Sequence, residues 1–215
     1  METLYYLVQN TLPVAIPLLL VALGGMFSER SGVINISLEG IMLFGAFSGC
    51  LFVYIIEGAS LSAQMILILA MLVAAIAGLI YSFLLSFAAI NMRADQTITG
   101  TAMNMLVPAA ILLFSKMNFN SDGITTNTYF YIREVPVLSE IPVIGKLFFQ
   151  NTYITVYIGL FLLVVSTVIF YSTKFGLRLR SCGEHPHAAD SVGINVYFMR
   201  YSGVSLSGIL GGIGG

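Results

Sequence analysis

Charge is what this sequence has least of. Of its 215 residues only 9% are Asp, Glu, Lys or Arg, while 58% are hydrophobic and mean hydropathy is +0.93. Soluble domains carry about 25% charged residues, so the composition argues against a water-soluble globule. A net charge of −1 leaves no electrostatic footprint for nucleic acid. Cysteine is nearly absent too: Cys50 falls in an apolar run and Cys182 in a polar loop. A bridge between them would have to join opposite sides of a membrane, so both are read as free thiols. Met1-Glu2-Thr3 lacks the basic start of a cleavable signal peptide, so residues 4–27 are read as a retained membrane helix. No Gly-x-x-x-x-Gly-Lys-Ser/Thr phosphate loop occurs, and no Ser/His/Asp set or carboxylate pair argues for catalysis. Neither an enzyme nor a cofactor is expected.

What is present is a series of apolar runs. About 20 apolar residues cross a bilayer as helix. Residues 4–27, 34–56, 61–90, 97–115 and 152–172 meet that length, and a sixth run opens near Tyr197. The expected fold is therefore an all-α, polytopic transmembrane bundle forming one domain over residues 1–215. Pro13 and Pro17 are expected to bend the first span, and the third is long enough to tilt or to project into the cytoplasm. Many of the 21 glycines lie inside the runs, which suits closely packed membrane helices. The sequence stops at Gly215 in an apolar run that has barely begun, which reads as a partial chain.

Between the last two runs, residues 174–196 hold Lys174, Arg178 and Arg180, with Arg200 just beyond. Positive loops are retained on the cytoplasmic side, so this loop is placed inside. Counting backward puts Arg30 and Arg93 inside as well, and the N-terminus and residues 116–151 outside. Within the loop, Pro186 to Gly193 is punctuated as one short helix, with Pro in its first turn, Ala188 and Ala189 propagating and Gly193 terminating.

Polar residues inside apolar runs are few. Asn35, Ser37, Glu39 and Gly40 open the second span, and Asn35 and Glu39 would share a face if that segment were helical. A buried charge normally faces protein or a water path, which suggests a solute pathway; the plainer reading pairs Glu39 with Arg30 at the interface. Thr97, Thr101 and Asn104 form an i, i+4, i+7 stripe that fits either a pore wall or hydrogen bonds between helices. Residues 135–149 are too apolar for a solvated linker and too short and Pro-broken to span. They are expected either to lie at the interface and dock an external partner or to fold over the bundle. Cys182, His185 and His187 offer only three ligands around a restricting Pro186, so no metal is expected.

These stretches resemble the permease subunits of ATP-binding-cassette importers, in the branch containing the ribose and branched-chain amino-acid permeases. The similarity is greatest to the nucleoside or simple-sugar permeases. It rests on residues 23–45 with their Ser-Glu-Arg-Ser-Gly-Val-Ile-Asn-Ile-Ser-Leu-Glu-Gly core, and on residues 95–104, 141–149 and 176–196. The resemblance implies that Gly183, Glu184, His185, Pro186, Ala188, Ala189 and Gly193 belong to a cytoplasmic coupling segment that engages an ATPase subunit. It places Asn35, Glu39 and Gly40 near the translocation path, with residues 95–104 as a second part of the wall. It also implies a second permease subunit, an extracytoplasmic solute-binding lipoprotein, a small-molecule solute, surrounding membrane lipid and a bacterial cytoplasmic (inner) membrane location. Nucleoside import is the expected activity, with ribose-type sugar or branched-chain amino-acid import as alternatives. An ion-coupled transporter using Glu39 as proton carrier, or a non-transporting scaffold, would be a different class. Such permeases continue through further helices beyond the position of Gly215.

Overall fold

The computed structural model describes residues 2–58, 61–124, 130, 132–134 and 150–215. Eight α-helices appear among them: α1 (Glu2–Glu29), α2 (Leu38–Ile56), α3 (Ala63–Ser86), α4 (Gln96–Phe119), α5 (Ile154–Ser172), α6 (Lys174–Glu184), α7 (Pro186–Ser191) and α8 (Val196–Gly214). A π-helical turn, Phe87–Asn91, extends α3, and two three-residue strands, β1 (Ile132–Glu134) and β2 (Gln150–Thr152), pair antiparallel. The expected apolar segment 135–149, including residues 141–149, lies outside the described residues.

Five helical runs are long and apolar enough to cross a membrane: Gln9–Glu29, Leu38–Ile56, Ala63–Asn91, Gln96–Phe119 and Ile154–Ser172. They agree with the first five runs expected from sequence, and the chain is a multi-pass membrane bundle. The 29-residue third run reaches about 44 Å at 1.5 Å per residue, longer than a 30 Å hydrocarbon core requires. Pro13 and Pro17 sit inside a continuous α1.

The sixth run is α8, a 19-residue helix that packs against α1, α2 and α3. It is not among the apolar runs because its sequence alternates Ser and Gly with aliphatic residues; its environment is protein. Membrane helices gain little by hiding apolar surface from lipid, so close van der Waals contact has to hold them together. Gly45 of α2 shows how close: a Cβ there would lie 2.5 Å from the Gly212 carbonyl oxygen and 2.7 Å from its Cα. α8 separates two apolar cores. One joins Ile16, Leu20 and Phe27 of α1 to Val156 and Phe170 of α5 and to Leu179, Cys182 and Ala189 beneath the loop helices. The other joins Val33 and Ile41 to Tyr81, Leu85, Met103 and Val107.

Candidate functional site: an unwound helix entry beside two short surface helices

Between α1 and α2 the chain is not helical. Its backbone groups need partners, because irregular backbone at membrane depth is tolerated only against protein or a water-lined cavity. The Ser28 hydroxyl donates to the Val33 carbonyl (2.6 Å), closing a turn through Gly32, whose φ of +87° suits glycine. Beyond it, Ile34 N–H donates to the Gln96 side-chain oxygen of α4 at 2.7 Å. Asn35, 7% exposed, donates through Nδ2 to Ser207 Oγ of α8 at 2.9 Å. Its Oδ1 accepts from the Ser37 N–H (3.1 Å) and hydroxyl (2.8 Å), the local turn that Asn side chains favour before a helix start. Asn104 of α4 completes the frame, donating to the Ile36 carbonyl at 2.8 Å and accepting the Gly40 N–H at 2.7 Å.

This geometry revises the expected helical face. Asn35 precedes the helix, which begins at Leu38, so Asn35 and Glu39 do not share an i, i+4 face. Asn35, Ser37 and Asn104 have their polar atoms committed to the frame, and Gly40 is buried against Asn104 and Met103. Glu39 is exposed in the first turn of α2, as are Thr97 and Thr101 on α4; the Thr101 hydroxyl turns back to the Thr97 carbonyl. The Glu39–Arg30 pairing is not formed: the ion pair found among the described residues is Lys116–Asp122. Asp95 caps α4 through the N–H groups of Thr97 (2.8 Å) and Ile98 (3.1 Å). Gln96 and Ser207, two of the three side chains holding the unwound segment from outside it, carried no sequence signal of their own. Only Asn104 stood out.

The loop from Lys174 to Val196 lies at the same end of the bundle. Thr173 caps α6 by accepting the Gly176 N–H at 3.2 Å. His185 (φ −140°, ψ 82°) then breaks the helix, and Pro186 opens α7. Gly193, at φ +82°, ends it, and Asn195 caps α8 by accepting the Phe198 N–H at 3.0 Å. The short capped helix expected from sequence is thus present, but α6 is an additional helix that the loop reading did not include.

Inward contacts decide what this unit can transmit. Gly183 presses on the turn after α1: a Cβ there would run into the Arg30 carbonyl, and Gly32 N lies 3.3 Å from the same point. The Arg200 guanidinium lies over Gly32, 3.5 Å from where its Cβ would be. Cys182 is fully buried on the inner face of α6; burial pushes its thiol pKa up, against smaller lowering influences from the Ser181 side chain and Arg200. Ala189, expected among the contacts to an ATPase, is 4% exposed and belongs to the core, so it is not on the exposed face of α7. Ala188, His185, His187, Glu184 and Gly193 are exposed, and Val192 is 74% exposed. Among the described residues no group of three His, Cys, Asp or Glu side chains converges.

Arg30, Arg93, Lys174, Arg178, Arg180 and Arg200, six of the nine Lys and Arg residues, collect at this end. The bundle therefore carries, at a cationic end, the helix α6 in backbone contact with a turn that leads into an unwound segment.

Comparison with known proteins agrees with this architecture. The chain is 48% identical to the guanosine ABC transporter permease protein of Bacillus subtilis over 217 residues, covering 100% of this chain and 67% of that protein. It is 41% identical to the nucleoside ABC transporter permease protein of Lactococcus lactis over 214 residues, again covering 100% of this chain and 67% of the relative. No solved structure matches it. The family described as the branched-chain amino acid transport system permease component matches residues 7–215, and the chain belongs to that family of ABC permeases.

Proposed function

We propose that this permease passes nucleosides inward across a bacterial cytoplasmic membrane, driven by a separate ATPase that grips α7. The observation that carries the reading is the backbone contact of Gly183 with the Arg30–Gly32 turn. It gives movement of α7, passed on through α6, a route to the segment at residues 33–37. A second permease subunit would complete the pathway opposite α2 and α4, and a solute-binding lipoprotein would deliver solute outside. Glu39, Thr97 and Thr101 are exposed polar groups near the starts of those helices and the proposed wall; Asn35, Ser37, Gly40 and Asn104 hold the wall in place. The nucleoside assignment draws on the guanosine and nucleoside relatives. Only differential affinity for the two end states allows ATP to drive net movement of a solute.

The deciding experiment measures ATP-dependent uptake of labelled guanosine and uridine by the transporter reconstituted with its ATPase and binding protein. Ribose and leucine serve as competitors. Uptake that neither competitor reduces supports the reading. Uptake of ribose or leucine in place of nucleoside keeps the permease assignment and rejects the solute, and uptake driven by a pH gradient without ATP rejects the ATP-driven mechanism.

A further inference from the structure

One edge of α8 runs along the break between α1 and α2. Arg200 holds its guanidinium over Gly32, with Nη2 3.5 Å and Nε 3.6 Å from where a Cβ would be. Gly203 is pressed against Ser31, whose Oγ lies 2.8 Å from the corresponding point. Ser207 accepts from Asn35. Steps of three and four residues put all three on one helix face, so a displacement of the start of α8 acts along the entry to α2.

Tyr201, the next residue after Arg200, reaches the other way. Its ring lies 6.4 Å from that of Phe83 on α3, and its hydroxyl donates to Asn91 Oδ1 at 2.7 Å. Asn91 ends the π-helical turn, a local irregularity that gathers at functional positions in helices. Residues 92–95 alone separate that turn from Gln96. They form a closed corner: Arg93 stands at φ +53°, and the Ala94 N–H donates to the Ala88 carbonyl at 3.0 Å. Gln96 in turn accepts the Ile34 N–H. Two consecutive residues of α8 therefore reach the unwound segment from two sides, one over Gly32 and one through the α3–α4 corner.

α7 is tied closely to this helix. Residues 192–195 join them, the Ile194 N–H donates to the Ala189 carbonyl at 3.1 Å, and Ala189 and Met199 share one buried core. We propose that Arg200 and Tyr201 are positioning residues for transport, through which the first turns of α8 shift the starts of α2 and α4 together when α7 moves. The inference rests on α7 being the ATPase contact, and it adds a path that does not pass through Gly183. The Tyr201–Asn91 bond suits positioning better than stabilisation. Asn91 is exposed, so water replaces a lost partner and little stability is at stake.

The test uses the transporter reconstituted with its ATPase and binding protein, given whichever of labelled guanosine, uridine, ribose or leucine the wild type accumulates. The readout is solute moved per ATP hydrolysed, which a change in the amount of folded protein does not alter. Thermal midpoint and ATPase co-purification are measured beside it. Tyr201→Phe should lower the ratio about threefold, the worth of an average interhelical hydrogen bond in a membrane, with midpoint and ATPase binding unchanged. Asn91→Ala should do the same, and the double variant should be no worse than either, because both remove one bond. Arg200→Met, acting on the other side, should lower the ratio further when combined with Tyr201→Phe. An unchanged ratio in Tyr201→Phe, multiplied losses in the Tyr201–Asn91 double variant, or a fall in midpoint and uptake at constant ratio would each overturn the proposal. A wild type that accumulates none of these solutes with ATP would instead remove the importer reading, and this proposal with it, before any variant is compared.

Discussion

The Asn104 carboxamide spans the break at the start of α2: its oxygen accepts the Gly40 N–H at 2.7 Å and its nitrogen donates to the Ile36 carbonyl at 2.8 Å. One side chain of α4 thereby satisfies two backbone groups on either side of the first helical residues. Asn104→Leu keeps the approximate volume and removes both partners. Buried polar groups left unpaired cost about 1–3 kcal/mol, so the variant should lose stability by that amount. The thermal midpoint of the detergent-solubilised protein reports it. Thr101→Val, which alters an exposed hydroxyl bonded only within its own helix, should leave the midpoint unchanged. An unshifted midpoint for Asn104→Leu would mean that the frame is not needed to hold the unwound segment.

Asn35 and Ser207 make a second link in the same frame, from the unwound segment to α8. Interhelical hydrogen bonds in membranes average about 0.6 kcal/mol and reach about 1.7. A double-mutant cycle with Asn35→Ala and Ser207→Ala should show coupling within that range. Purely additive effects would show that the bond contributes nothing beyond packing.

The two ends of the proposed lever can be separated by mutation. Ala188 is exposed on α7, whereas Gly183 touches the Arg30 turn. Ala188→Trp should prevent the ATPase from co-purifying with the permease. Gly183→Ala should leave the ATPase bound, because the new methyl group lies on the opposite side, yet reduce ATP-driven uptake about tenfold or more by pushing α6 off the turn. Loss of ATPase binding in both variants, or normal uptake in Gly183→Ala, would contradict a route through that contact.

Much of this was legible in the sequence, for physical reasons that differ by element. The first five spans follow from length and hydropathy alone, and α7 follows from Pro186 and Gly193, whose backbone preferences act locally. α6 escaped notice because Lys174, Arg178 and Arg180 read as loop charge, while its buried face is only Gly176, Leu179 and Cys182. α8 is weak in hydropathy because a helix surrounded by other helices is built from Gly and Ser, and hydropathy measures affinity for lipid. The condition under which Asn35 and Glu39 would share a helix face fails for a related reason. Spacing assumes continuity, and the break at residues 33–37 is set by Gln96, Asn104 and Ser207, all distant in sequence.

Cys182 offers a chemical reading of whether α6 stays seated. Its thiol is fully buried, and burial raises its pKa above the ordinary thiol value, so the reactive thiolate is scarcer at any given pH. With Cys50→Ser removing the other thiol, N-ethylmaleimide should label Cys182 far more slowly than a free cysteine at neutral pH, and faster as pH rises. The sign for stability runs the same way: a raised pKa favours the folded state below the ordinary thiol value, and that contribution fades as pH climbs through the folded value. Gly183→Ala, by lifting α6 from the Arg30 turn, should speed labelling at neutral pH. Intact-mass kinetics on the solubilised protein would show it, and labelling of Cys182 at the free-cysteine rate in the Cys50→Ser protein would mean that α6 does not rest against the bundle as the structure has it.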